Sequence, residues 1–166
     1  MIVDVVAMKR SAEAEALGKK LGFQKILFSE DLQSITCVEG KNEIVNRRAV
    51  EDKKTQILLN PHQGQTADAL HFRRSGVNHI VCALAYKNNV TFAFTLDHVQ
   101  SPQEMGRVMQ NIKLCRKYKV GMLFYSNAKT IDDMRGAQDM MALCRVLGMM
   151  PGEAKTALSG FGTKHG

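Results

Sequence analysis

Six short apolar runs punctuate this chain, and stretches with helical spacing lie between most of them. The runs are IVDVVA (2–7), KILFS (25–29), ITCVE (35–39), TQILLN (55–60), VTFAFTL (90–96) and VGMLFY (120–125). Helical periods occupy 11–22, 42–53, 79–89 and 101–118, and two more follow the last run, at 134–148 and from Pro151 onward. Strand and helix alternating in this way predict a parallel α/β architecture whose strands are buried on both faces. The pattern fits an open doubly wound sheet or a barrel. A complete eight-unit barrel needs roughly 200–250 residues, so in 166 residues a barrel would be incomplete.

Local signals mark the boundaries. Ser11 stands at an N-cap and Gly22 just beyond the same helix, while Ser101 and Pro102 open the longest one. Met105, Val108, Met109, Ile112 and Cys115 form its apolar stripe; Arg107, Lys113, Arg116 and Lys117 fall off it. In 42–53, Ile44, Val45 and Val50 are expected toward the core, with Arg47, Arg48 and Asp52 mainly outward. Gly and polar residues edge the stretch 62–78, which reads as a loop around one helical turn. One domain is expected over residues 1–160, with a frayed tail at 161–166.

Cys37, Cys82, Cys115 and Cys144 are scattered through apolar patterns without metal-ligand spacing, and read as buried reduced thiols in a reducing compartment. No secretory h-region opens the chain and no apolar run reaches ~18 residues, so a soluble cytoplasmic protein is expected. The net charge of +7 is unevenly spread: residues 1–60 hold ten Lys/Arg against nine Asp/Glu, and residues 61–166 hold thirteen against seven. Between Arg107 and Lys119 stand five cations and no acid. A solvated helix face usually mixes signs, so an unmixed one points to a polyanion, of which nucleic acid is the commonest.

In α/β folds ligands sit at the carboxyl ends of strands, where Ala7, Ser29, Glu39, Asn60, Asp97 and Ser126-Asn127 emerge. A hydrolytic metal site wants three or four converging ligands. Only Glu39 and Asp97 qualify, with His98 beside the second. No Walker motif, GxGxxG or GxSxG is present. What remains are the cations Arg47-Arg48, Arg73-Arg74, Lys87, the 113–119 cluster, Arg135 and Lys155, with His79 opening a helix; Arg suits bidentate phosphate contact.

Several of these stretches resemble a known family. RRSGVNH (73–79) running into HIVCALAYKNNVTFAF, KLCRKYKVGMLFYSNA (113–128), MRGAQDMMALCRVLGM and PGEAKTALS are similar, in order, to motifs of ribonuclease P protein component 3. The resemblance implies a TIM-barrel-like fold akin to the PHP metal-dependent phosphoesterases but without their metal chemistry. Where such enzymes carry His-x-His on the first strand, this chain has Val3-Asp4-Val5. It further implies a protein subunit of ribonuclease P, the ribonucleoprotein endonuclease that removes 5′ leaders from precursor tRNA. There the RNA is the catalyst and uses Mg²⁺, the chain itself binds no cofactor, and component 3 works with protein component 2.

On this resemblance the RNA-binding residues would be Arg47, Arg73, Arg74, His79, Lys87, Lys113, Arg116, Lys117, Lys119, Arg135 and Lys155, with Asp139 and Ser126 as structural support. A phosphoesterase of the PHP type is the alternative. The family usually has another strand–helix unit between KILFS and ITCVE. Here only about five residues join them, so a shortened archaeal-type member is expected, its barrel of six to seven strands missing one β/α unit. Ala137 also stands where the family's Arg-x-Pro-x-Asp has Pro.

Overall fold

All six apolar runs form strands, each shorter than its run. The computed structural model describes residues 1–160. It contains β1 (Val3–Val6), α1 (Ala12–Lys20), β2 (Lys25–Phe28), β3 (Cys37–Glu39), α2 (Glu43–Glu51) and β4 (Ile57–Leu59). Then follow α3 (His79–Lys87), β5 (Thr91–Thr95), α4 (Pro102–Tyr118), β6 (Met122–Tyr125), α5 (Ala137–Val146) and α6 (Pro151–Ala157). The tail expected at 161–166 lies outside the described residues.

Short polar side chains start the helices. Ser11, Asn42, Asn78 and Ser101 each accept a first-turn amide, and Ser101 closes a reciprocal box with Glu104 behind Pro102. Gly148, at φ 102, turns the chain out of α5 as only glycine does freely.

Every strand pair is parallel: β1 with β2, and β3-β4-β5-β6 in that order. The two groups meet where β1 and β6 end. Asn127 N donates to Val5 O at 3.0 Å, and Ala7 N to Ala128 O at 2.8 Å. Asp4 clamps the joint from its buried position: Oδ1 accepts from Ser126 N (2.7 Å) and Val5 N (2.9 Å), and Oδ2 from Ser126 Oγ (2.6 Å).

Burial pushes the Asp4 carboxyl above its ordinary 3.8, and the hydrogen bonds from Ser126 and Val5 only partly offset it. A carboxyl raised on folding favours the fold below its unfolded pKa, and that contribution is lost as pH rises through the folded value. Asp4→Asn keeps an acceptor for the two amides and lets the Ser126 hydroxyl accept instead of donate. In urea titrations at increasing pH above 3.8, the wild type should lose more stability than Asp4→Asn. Parallel curves would remove Asp4 from this account.

The sheet has two apolar faces. Val6, Phe28, Leu58, Phe92, Phe94 and Phe124 pack under the helices in the main core. On the other face Val5, Ile57, Ala93, Leu123 and Tyr125 form a smaller cluster, joined by Leu27, Leu32, Ile35 and Leu59. This two-sided burial is what made the strands read as continuous apolar runs.

Four expectations need correction. Ile44 points out, 65% exposed, and the buried positions of α2 are Asn46, Ala49 and Val50. Cys37 is exposed because β3 is an edge strand, while Cys82, Cys115 and Cys144 are buried. The stretch 62–78 holds a tight turn closed by an antiparallel bridge between Ala69 and Phe72, in place of a helical turn. Arg107 is buried, because a loop acid reaches it.

Candidate nucleic-acid interface

The β/α arrangement sorts the basic residues to two ends of the molecule, because each helix begins above the carboxyl ends of the strands and finishes below their amino ends. Lys87 is the last residue of α3, and Arg116 and Lys117 lie in the last turn of α4. Lys119 caps α4 in the left-handed region, φ 58, and Lys113 lies about one turn before Lys117. Lys155 joins this end because Arg116 binds Glu153 of the same short helix α6 through Nε (2.8 Å) and Nη2 (2.5 Å). Arg73, Arg74, His79, Arg135, Asp139 and Ser126 belong to the opposite end, in or beside loops that follow strands. Arg47 sits mid-helix and pairs with Glu51 one turn on, at 2.9 Å.

At the amino end the cations divide by partner. Arg116 is held by Glu153 and by the Gly148 carbonyl (2.6 Å), so three of its five donors are already occupied. Its guanidinium holds the Glu153 carboxyl below the usual range. Lys113, Lys117 and Lys119 are exposed and have no carboxylate partner among the described residues. Lys117 lies over the Tyr118 ring at 5.6 Å. The run that looked free of acids from Arg107 to Lys119 therefore has two members neutralised across the fold and three left open. Three exposed ammonium groups within about two helical turns, with nothing to cancel them, are suited to a phosphate backbone.

At the carboxyl end a loop is pinned to the helices. Arg107 of α4 donates to Asp68 through Nη2 (3.0 Å) and Nε (3.3 Å), and to the Thr66 carbonyl (2.8 Å). Asn111 Nδ2 donates to Ser75 O at 3.0 Å, and Arg73 Nη1 to Gly106 O at 2.9 Å. The Arg74 amide, followed by the Arg107 guanidinium, holds Asp68 below the ordinary carboxylate range against a burial penalty. From α2, the buried Asn46 accepts from Lys41 N (2.8 Å) and donates to the carbonyls of Lys41 (3.1 Å), Pro61 (2.8 Å) and Gly76 (2.8 Å). Gly76 sits at φ 77, and a Cβ there would overlap the Pro61 carbonyl oxygen. These contacts tie residues 61–77 to α2 and α4.

Some of the other strand-end polar groups bond to one another, while His62 Nδ1 has no hydrogen-bond partner among the described residues. Asn60 Nδ2 donates to Thr95 Oγ1 (2.8 Å), and Asn127 Nδ2 to Asp97 Oδ2 (2.9 Å). His98 Nδ1 lies 3.1 Å from Asp97 Oδ1. Burial alone would raise Asp97, but hydrogen bonds from Thr95, His98 and Asn127 outweigh it and lower the carboxyl. His62 is buried, its Nε2 at 2.7 Å from His98 O, and burial keeps the ring neutral by lowering its pKa. Among the described residues no three of His, Cys, Asp and Glu come together as a metal-holding group. Arg135 is exposed, its Nη1 on the carbonyls of Asp132 (2.8 Å) and Met134 (2.9 Å), and Asp139 sits in the first turn of α5. No helix among the described residues is long and apolar enough to cross a membrane.

The residues predicted from sequence thus do not form one site. The reading missed Asn46, Arg107 and Asp68, which hold the carboxyl-end loop. A signal for Asn46 was present: it falls in helical register with Ala49 and Val50, on the buried face.

Residues 28–161 match the family described as RNase P subunit p30. Ribonuclease P protein component 3 of Methanococcoides burtonii is 33% identical over 131 residues, covering 75% of this chain and 51% of that protein. The protein of the same name from Thermococcus kodakarensis is 26% identical over 137 residues, covering 79% and 59%. This chain therefore spans little more than half the length of these relatives. A chain of the cryo-EM structure of archaeal ribonuclease P with mature tRNA has the same fold, with a TM-score of 0.63 at 20% identity over 93% of this chain and 76% of that one.

Proposed function

Because the chain belongs to the RNase P subunit p30 family, we propose that it is a protein subunit of ribonuclease P, acting in the cytoplasm on precursor tRNA as part of the holoenzyme. It works there with protein component 2 and leaves cleavage to the RNA, whose Mg²⁺ ions are the cofactors; the chain itself is non-catalytic. The observation that carries an RNA-directed role is the set of ammonium groups on Lys113, Lys117 and Lys119, which have no carboxylate partner among the described residues. They contact phosphate, Lys87 and Lys155 extend the same face, and Arg116 positions α6 through Glu153.

The strands follow the order β3-β4-β5-β6-β1-β2, and β2 and β3 are not paired with each other. This supports reading residues 1–160 as one TIM-barrel-like domain with a β/α unit missing between those two strands. The structural relative, of which this chain covers 76%, is long enough to hold one more such unit.

Reconstitution tests the proposal. Catalytic RNA, component 2 and a precursor tRNA at limiting Mg²⁺ should cleave the 5′ leader faster when this chain is added, and the chain alone should not cleave. Cleavage by the chain alone, or no gain in the mixture, would overturn it. Substituting Lys113, Lys117 and Lys119 together by Ala should weaken RNA binding about tenfold or more, and flatten its log–log salt dependence by on the order of three. An unchanged salt slope would move the RNA contact elsewhere.

A further inference from the structure

The cation cluster leaves unexplained an apolar surface at the opposite end of the molecule. Ile44, Leu70, Phe72 and Ile80 are all exposed there, Leu70 at 92%. Ile44 is in the first turn of α2, and Ile80 in the first turn of α3. The two helix starts are tied by the Asn78 amide donating to Glu43. Leu70 and Phe72 stand on the turn closed by the Ala69–Phe72 bridge. Ile44, Phe72 and Val77 line a pocket of about 260 Å³, with Arg74 and Glu43 on its wall. That is less than a drug-sized site and suits a single bulky side chain.

We propose that this surface docks a protein segment carrying one bulky apolar side chain flanked by carboxylates, an inference independent of the ribonucleoprotein reading. Charge complementarity selects the partner. Arg74 lines the pocket, and Arg48 stands one helical turn from Ile44 on the same face of α2. Neither guanidinium has a carboxylate partner among the described residues, whereas Arg47, Arg107 and Arg116 each have one. An acidic segment would satisfy both free cations while its apolar residue fills the pocket. RNA fits less well, because three of the four exposed side chains are aliphatic and offer no ring for base stacking.

The surface is also preformed. The turn carrying Leu70 and Phe72 lies between Thr66-Asp68, bonded to Arg107, and Ser75-Gly76, bonded to Asn111 and Asn46. Little ordering entropy then remains to oppose docking.

Selection of short random peptides displayed on phage against the intact chain tests this directly. The enriched peptides should share a bulky apolar residue with Asp or Glu beside it. A synthetic copy should bind Leu70→Ser/Phe72→Ser about tenfold or more weakly, while that variant melts like the wild type. Arg74→Glu should weaken the same peptide and prefer a copy whose acids are replaced by Lys. Absence of enrichment, enriched peptides without acids, or indifference to the Leu70/Phe72 variant would each overturn the proposal. So would a short oligouridylate whose binding depends on Leu70 and Phe72, which would make the surface an RNA contact.

Discussion

Asn46→Asp, an exchange of one amide nitrogen for oxygen, should cost the chain about 3–5 kcal/mol at neutral pH. The side chain is fully buried, its Nδ2 donating to the carbonyls of Lys41, Pro61 and Gly76 while Oδ1 accepts from the Lys41 amide. A carboxylate would keep the one acceptor role and turn its second oxygen on three carbonyl oxygens, with no cation bonded there. Only the protonated acid could donate to one of them. Burial and those carbonyls therefore raise the folded pKa of residue 46 above its unfolded value of about 3.9. The variant's stability is then greatest below that value and is lost as pH rises through the folded pKa.

Urea titrations from acid to neutral pH should show Asn46→Asp approaching the wild type at the acid end and falling away above it. A variant as stable as the wild type at pH 7 would mean that Asn46 does not hold this junction. Asn46→Ala should cost somewhat less, about 2–3 kcal/mol, because unpaired buried carbonyls remain but no charge is added. With a total stability of ~5–15 kcal/mol expected for a domain, either loss is a large share.

Asn46 also shows where the sequence stops being legible. Its helical register with Ala49 and Val50 could be read along the chain, but its partners could not: Gly76 lies 30 residues away and Pro61 15. Ile44 was placed inside because it is apolar, yet it stands two residues before Asn46 and so on the far side of the helix from the buried face. At Ile44 the neighbouring loop leaves a pocket. Strands were easier, because burial on both faces removes the polar alternation and leaves runs that stand out. Helix starts were legible for a local reason, since a cap bonds within three residues of itself.

Charge was the least legible quantity. A stretch with five cations and no acid read as one positive face, but two of those cations meet acids brought from 39 and 37 residues away. Counting charge along a chain overstates a surface field wherever a loop or a later helix returns an acid. Lys113, Lys117 and Lys119 remain as the part of that reading with no acid opposite them among the described residues. Two residues on the carboxyl-end loop, Arg73 and Arg74, were read as cations suited to phosphate and again as positions of the family resemblance. The structure gives them a setting the resemblance did not contain, one bonded to a helix carbonyl and the other lining an apolar pocket.

Asp68→Ala should cost about 2–3 kcal/mol, although Asp68 sits on a loop and keeps a quarter of its side-chain surface in water. What suffers is Arg107, whose side chain is 8% exposed and whose countercharge is Asp68. Removing one partner of a buried pair leaves an uncompensated charge and costs ~3–5 kcal/mol when both are fully enclosed; water reaching Asp68's side lowers the figure here. Removing the charge as well should recover part of the loss. Asp68→Ala/Arg107→Met is therefore expected to be more stable than Asp68→Ala alone, with a coupling of about 1–2 kcal/mol in a double-mutant cycle.

The cycle bears on function as well as on folding. If the pair pins the loop, Asp68→Ala should also free Leu70 and Phe72 from their fixed turn, and amide exchange across 66–75 should quicken more than exchange in β5. Equal protection in the variant and the wild type would show the loop to be held by Asn46, Asn111 and Arg73 without help from the ion pair. Should the loop loosen with β5 unchanged, the carboxyl-end surface is organised by a charge pair remote from the exposed lysines at the amino end. The two ends could then be varied independently.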